Sequence, residues 1–82
     1  MTDIKLEILS PQGILVKCNV DSVSLPGTKG RFVVLKNHAP LISSLEKGEV
    51  VYALEGQKKS VLINSGFVKV KENRVSVCAD IE

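Results

Sequence analysis

The chain is 82 residues long and 44% hydrophobic, with a formal net charge of +2 from 11 basic and 9 acidic residues. That apolar content excludes a disordered tail, and the length sets a single domain, 1–82, whose thin core removes only about 60–65% of the unfolded surface from water. The charges are scattered, and the longest like-charge run is Lys58-Lys59, so the basic stripe of a small nucleic-acid binder is not in evidence.

No apolar run approaches the length of a membrane span, and Met1-Thr2-Asp3-Ile4-Lys5 lacks the charged and apolar regions of a signal peptide. The expectation is a cytosolic chain that meets a membrane only through a partner. Cys18 and Cys78 are the two cysteines. In an unsignalled chain they read as reduced core thiols, and two are too few for a zinc site.

Ile4, Leu6 and Ile8 alternate with Lys5, Glu7 and Leu9, the period of a strand with one buried face. Pro11-Gln12-Gly13 predicts a turn. Ile14, Val16, Cys18 and Val20 then share a face, and Val23 and Leu25 extend the line beyond Asp21-Ser22. Leu25-Pro26-Gly27 stops this run with turn chemistry, Gly30 releases Arg31-Phe32-Val33-Val34-Leu35, and Lys36-Asn37-His38-Ala39-Pro40 breaks the chain again. Leu41 to Leu45 is read as a strand, although Leu41 and Leu45 have helical spacing. Glu46-Lys47-Gly48 turns. Val50, Tyr52 and Leu54 share a face, and Glu55-Gly56-Gln57 closes a hairpin into residues 58–64. Ser65-Gly66 breaks the line, Phe67 to Lys71 alternates, Glu72-Asn73-Arg74 turns, and Val75 to Asp80 forms a last strand. The sum is about eight to ten short strands, an all-β fold of sandwich or barrel type.

The residues offer little chemistry. His38, the single histidine, could act as a general base but shows no sequence partner, and it more simply shapes its loop. Gly27-Thr28-Lys29-Gly30 resembles a phosphate loop only superficially, because Lys29 precedes the second Gly and a strand follows. Lys47 sits in a turn, as does the modified lysine of biotinyl or lipoyl carriers, but lies between Glu46 and Gly48. Phe67 shares a face with Lys69 and Lys71, the one hint of an oligonucleotide-binding surface, and reads more simply as core or partner-facing packing. The residues thus leave open an interaction module, a carrier, an oligonucleotide binder and a small His38 hydrolase, with the interaction module ahead.

One string goes further. Gly30, Phe32, Val34, Leu35, His38, Ala39, Pro40 and Leu41 form G-x-F-x-V-L-x-x-H-A-P-L. Before it, Val20, Val23, Pro26, Gly27 and Gly30 form V-x-x-V-x-x-P-G-x-x-G, and Ser10-Pro11-Gln12-Gly13 ends the first strand. Ser65-Gly66-Phe67-Val68-Lys69-Val70 and Asn73 to Asp80 complete the series. In this order and spacing the chain resembles the epsilon subunit of rotary ATP synthases (delta in mitochondrial naming), from Ile4 to Asp80.

The resemblance implies a flattened β-sandwich of two sheets at the foot of the rotating central stalk. It implies no catalysis and no cofactor, metal or nucleotide bound by this chain. The implied partners are the gamma subunit and the c-ring, at the cytoplasmic face of the inner (cell) membrane, with membrane association only through the complex and no nucleic acid. An exposed apolar patch would mark the gamma side. Two loops are the expected contact surfaces: Gly27, Thr28, Lys29, Gly30 and Arg31, facing the ring, and Asn37, His38, Ala39, Pro40 and Leu41. Arg31 stands where the family often has an acidic residue, Val33 where Gly is common, and Lys36-Asn37 where Pro-Gly is usual. Typical bacterial members continue into two C-terminal helices that brake ATP hydrolysis. If Glu82 is the natural end, the expectation is a subunit without that brake.

Overall fold

The computed structural model describes residues 3–81, and among them it holds nine strands and no helix. They are β1 (Ile4–Ser10), β2 (Gly13–Val20), β3 (Ser22–Gly27), β4 (Gly30–Val34), β5 (Leu41–Leu45), β6 (Gly48–Leu54), β7 (Gln57–Ile63), β8 (Ser65–Lys71) and β9 (Arg74–Asp80). All nine belong to one hydrogen-bonded sheet, in the order β2-β1-β9-β8-β5-β3-β6-β7, with β4 on the free side of β3. The sheet curls on itself into two layers, β2-β1-β9-β8-β5 and β4-β3-β6-β7, within extents of 31 × 22 × 18 Å. The two sheets of the expected flattened sandwich are therefore two layers of one sheet.

The layers join at β3. Along one edge β3 pairs with β4 from Val23 to Gly27. Its other edge pairs first with β6, from Ser22 to Ser24, and then with β5 through Gly27 and Leu45. Glu46 N donates to the Pro26 carbonyl at 2.9 Å, and Thr28 N to the Ser44 carbonyl at 3.2 Å. Pro26 has no N–H to offer a ladder, so it suits the point where the strand changes neighbours. Leu25-Pro26-Gly27 ends the run as its turn chemistry predicts: the three residues are the last of β3, which stops at Gly27. The preceding break falls at Asp21, whose N–H donates to the Ala53 carbonyl at 2.8 Å and whose Oδ2 accepts from Glu55 N at 3.1 Å.

Every strand sends at least one side chain into a shared core. Ile4, Leu6, Ile8, Val23, Leu25, Val50, Ile63, Val68 and Val77 are among its fully buried members. No charged or polar residue is buried among those described. The period-two pattern holds in β1, β8 and β9, but fails once in β2. The β1–β2 register shifts between Ile8 and Leu9, so Ile14 opposes Leu9. A one-residue slip turns a side chain to the opposite face, and Ile14 stands 58% exposed instead of joining Val16 and Cys18. The cysteines are free and half-buried, but only Cys18 packs against the core as expected; Cys78 lies on the other face of β9, opposite the exposed Phe67.

The outer strands of the chain lie inside the first layer. β1 sits between β2 and β9 and runs parallel to β9, with Lys5 N donating to the Asn73 carbonyl at 2.9 Å. The first strand is thus held by ladders to β2 and β9, and the last by ladders to β1 and β8. Gly66 is required where β8 meets β9: a Cβ there would lie 2.3 Å from the Cys78 carbonyl oxygen. Gly66→Ala is therefore expected to prise the two strands apart and destabilise the fold by about 1–3 kcal/mol, read from the urea midpoint.

Tyr52 supplies a second test. Burial, and secondarily the nearby Cys18, push its phenol pKa above the ordinary 10.0. The fold thus favours the neutral phenol, a contribution fully present below pH 10 and lost as pH rises through the folded value. Stability measured against alkaline pH should fall in this range, and Tyr52→Phe should remove that part of the fall.

Candidate interaction surfaces

The first predicted loop is the tip of the β3–β4 hairpin. Gly27 and Gly30 face each other as the last ladder pair, with Thr28 and Lys29 as the exposed two-residue loop. Gly30 has a φ of 124°, which a side chain would oppose. Gly27 is packed tightly: a Cβ would meet the Gly30 carbonyl at 2.7 Å and the Phe32 ring at 2.9 Å. Thr28 Oγ1 and Ser44 Oγ share a hydrogen bond of 2.9 Å, which ties the tip to β5.

Arg31 follows the tip, and its guanidinium lies back across the outside of β3. Its Nε donates to Ser24 Oγ at 2.9 Å and its Nη2 to the Glu49 carbonyl of β6. Part of the guanidinium is therefore committed within the domain, and the rest is exposed. These bonds stitch β4 to β3 and β6. The sequence held no sign of them, because Ser24 and Glu49 lie 7 and 18 residues away.

The second predicted loop joins β4 to β5. Asn37 has a φ of 63° and Asn73, in the β8–β9 turn, a φ of 60°. The two clasp each other: Asn37 N donates to Asn73 Oδ1 at 2.6 Å, and Asn73 Nδ2 to Asn37 Oδ1 at 3.2 Å. Lys36 adds an ion pair with Asp3 at 3.3 Å. Asparagine tolerates this left-handed backbone almost as glycine does, which answers for Asn37 in place of Gly. His38 N donates to the Leu35 carbonyl at 3.2 Å, and its Nδ1–H to the Ala39 carbonyl at 2.6 Å. His38 thus shapes the loop. Ala39 and Pro40 are exposed, while Leu41 is half-buried against the core and pairs with Val70.

The fold does not gather these ten residues into one site. β5 runs from Leu41, beside the second loop, to Leu45, beside Gly27. The loops therefore sit at opposite ends of β4 and β5, separated by about 13–16 Å of strand. Lys47 is exposed in the turn between β5 and β6. Among the described residues no group of three His, Cys, Asp or Glu could hold a metal ion. Two shallow troughs on the surface, of about 330 and 490 Å³, lie along β1, β2, β8 and β9, and neither is lined by His38.

Exposed apolar side chains occur on both layers, so they do not single out one side. Val33 and Leu62 stand on the β4-β3-β6-β7 layer, and Ile42, Phe67 and Ile14 on the other. Phe67 is 52% exposed and is therefore not part of the core.

The geometry defines a class: small β-sandwich domains whose distinctive residues shape turns and surface. Within it, the family model of the ATP synthase delta/epsilon chain β-sandwich domain matches residues 3–81, and the chain belongs to that family. It is 41% identical over 75 residues to the ATP synthase epsilon chain of Desulfitobacterium hafniense, a match that covers 92% of this chain and 57% of that protein. It is also 41% identical over 81 residues to the epsilon chain of Nitratiruptor sp., covering 98% and 63%. The chain thus spans about three-fifths of the length of these curated relatives.

Two solved structures share its fold. One is the Euglena gracilis mitochondrial ATP synthase OSCP/F1/c-ring, with a TM-score of 0.88 at 22% identity over 96% of this chain and 51% of the matched one. The other is the Tetrahymena thermophila mitochondrial ATP synthase central stalk/c-ring, with a TM-score of 0.82 at 10% identity over 96% and 64%.

The Asn37–Asn73 clasp can be weighed directly. Asn73→Gly keeps the backbone conformation but removes both side-chain bonds, and is expected to cost about 1–2 kcal/mol. Asn37→Gly removes only one of them and should cost less. Amide exchange at Asn37 and His38 should accelerate in the Asn73 variant alone.

Proposed function

We propose that this chain serves as the non-catalytic stalk domain of a rotary ATP synthase, carried on the rotor between the gamma subunit and the c-ring. The observation that carries the reading is the match to the delta/epsilon β-sandwich family over residues 3–81. In this reading the domain works at the cytoplasmic face of the membrane, held there by its partners. Its output is mechanical: it transmits torque between the turning ring and the catalytic subunits.

The physical requirement is stiffness, and the fold is suited to it. A nine-strand sheet curled around one core has few soft degrees of freedom, and its loops are short. The hairpin tip, Gly27 to Arg31, and the clasped loop, Asn37 to Leu41, lie at opposite ends of β4 and β5. That separation suits a spacer gripped by two partners. We assign the tip to the ring and the clasped loop to the gamma side. Arg31 then calls for an acidic or carbonyl-rich neighbour on the ring, in place of the basic one that an acidic residue would select.

Mixed at micromolar concentrations with the gamma subunit of its own enzyme, the chain should elute as a stoichiometric complex in size-exclusion chromatography. Arg31→Glu should leave that complex intact and weaken, about tenfold or more, recovery with a gamma–c-ring assembly. Failure to form any gamma complex would overturn the assignment. Loss of gamma binding in Arg31→Glu would reverse the roles of the two ends.

A further inference from the structure

Three strands of the sheet, β2, β4 and β7, have no other described strand along their outer side. An open edge offers unpaired N–H and C=O groups to any extended chain, and proteins blunt such edges with charges, bulges or proline. β7 carries Lys58 and Lys59. β2 carries Lys17 and the register shift against β1. β4 is guarded least. Its ladder with β3 is unbroken from Val23–Val34 to Gly27–Gly30, and Arg31 is its one charged residue.

That charge is turned away from the edge. Arg31 donates to Ser24 Oγ and to the Glu49 carbonyl, so its guanidinium lies over β3 and β6. Lys36, just past the strand, is paired with Asp3. Between these two cations Val33 is 50% exposed and Leu35 58%. The edge is therefore apolar, with both flanking charges engaged inside the chain.

The backbone fixes which groups this edge presents. The Pro26 carbonyl accepts from Glu46 N, on the side of β3 away from β4. Pro26 and Arg31 are thus a non-hydrogen-bonded pair, and Arg31 turns its own backbone N–H and C=O outward. Alternation along the strand gives Val33 the same orientation, and Leu35 after it. The Leu35 carbonyl also accepts from His38 N, which leaves its second lone pair and its N–H.

This pattern is complementary to itself. Set antiparallel about a two-fold axis at Val33, two copies of β4 bring Val33 against Val33 and Arg31 against Leu35. Every such pair joins residues whose backbone groups face outward, so the three pairs close with about six N–H···O bonds. A slide of two residues in either direction leaves only two of these pairs. On the outer face Leu35 of each copy covers the aliphatic stem of the other copy's Arg31. The row Val33, Ser24, Val51 continues into the same row of the second copy, and no cation stands directly opposite another.

We infer that β4 is the docking edge for a second copy of this chain, and that the free protein forms an antiparallel dimer through it. The pairing uses both β4 edges at once, so it closes at two chains. It joins two β4-β3-β6-β7 layers into one layer of eight strands. The contact is a strand pair and little more, which puts it among small, weak interfaces. The inference rests on edge geometry and not on the stalk reading, and it concerns the chain free of other partners.

Sedimentation equilibrium of the full chain, from about 10 μM to 1 mM, tests it. The mass is expected to rise from that of one chain toward that of two, and no further. Val33→Lys places like charges opposite each other at the axis and should weaken association at least tenfold. Val33→Pro removes the central N–H, which the single chain leaves unpaired, and should do the same. Leu62→Lys, at an exposed apolar site on β7, should associate as the parent does. Amide exchange at Val33 should slow with rising concentration, while that at Val34, bonded to β3, should not change. A chain that keeps the mass of one at 1 mM, or that grows past two, would overturn the proposal. So would loss of association in Leu62→Lys with retention in Val33→Lys. A monomeric chain whose Val33 amide is protected only on addition of gamma would give the edge to another occupant and also overturn it.

Discussion

The molecule depends on one strand changing neighbours. Up to Ser24, β3 is hydrogen-bonded to β6; from Pro26 onward, the same edge is bonded to β5. That exchange lets one sheet supply both layers of a sandwich, and it fixes where the fold line runs. The space around it is tight. A Cβ on Gly48 would come within 2.9 Å of Pro26, and one on Gly27 within 2.9 Å of the Phe32 ring. Pro26 and Gly27 are themselves buried. Glycine and proline act here as packing residues at a seam, where a missing side chain or a missing N–H is what the geometry needs.

The rest of the core follows from that seam. Once the layers face each other, each strand can bury one face against all the others, and the alternation of Ile4, Leu6 and Ile8 or Val75, Val77 and Ala79 becomes a single core. Inside the first layer β1 and β9 lie side by side and run parallel. A domain of this size has a small stability margin, yet its shape is well determined. Both follow from a thin core enclosed between two layers of one hydrogen-bonded sheet.

Much of this was legible in the sequence, for a physical reason: period-two burial is written locally. The strands of β1, β6, β8 and β9, the buried Tyr52, the Asn73 turn and the all-β class all came from alternation and turn residues. What stayed hidden is non-local. The slip that turns Ile14 outward depends on how β2 registers against β1. Continuation of β3 through Pro26 depends on a carbonyl accepting from Glu46. The Asn37–Asn73 clasp joins residues 36 apart, and the reach of Arg31 to Glu49 joins two strands that do not pair. The two loops could be named from a motif, but their placement at opposite ends is set by the β3–β5 connection.

Parity explains why the outer face was only glimpsed. Phe67, Lys69 and Lys71 could be put on one side of β8 from sequence, but the significance of that side lies across the strands, in the residues that register beside them. Arg74 and Lys5 lie 69 residues apart in the chain and meet because β1 and β9 run parallel. The parallel pairing of β1 with β9 therefore assembles the like-charged row of Lys71, Arg74 and Lys5. Rigidity and surface charge here have a common origin: a ladder that would gain locally from opposite charges instead carries three cations abreast.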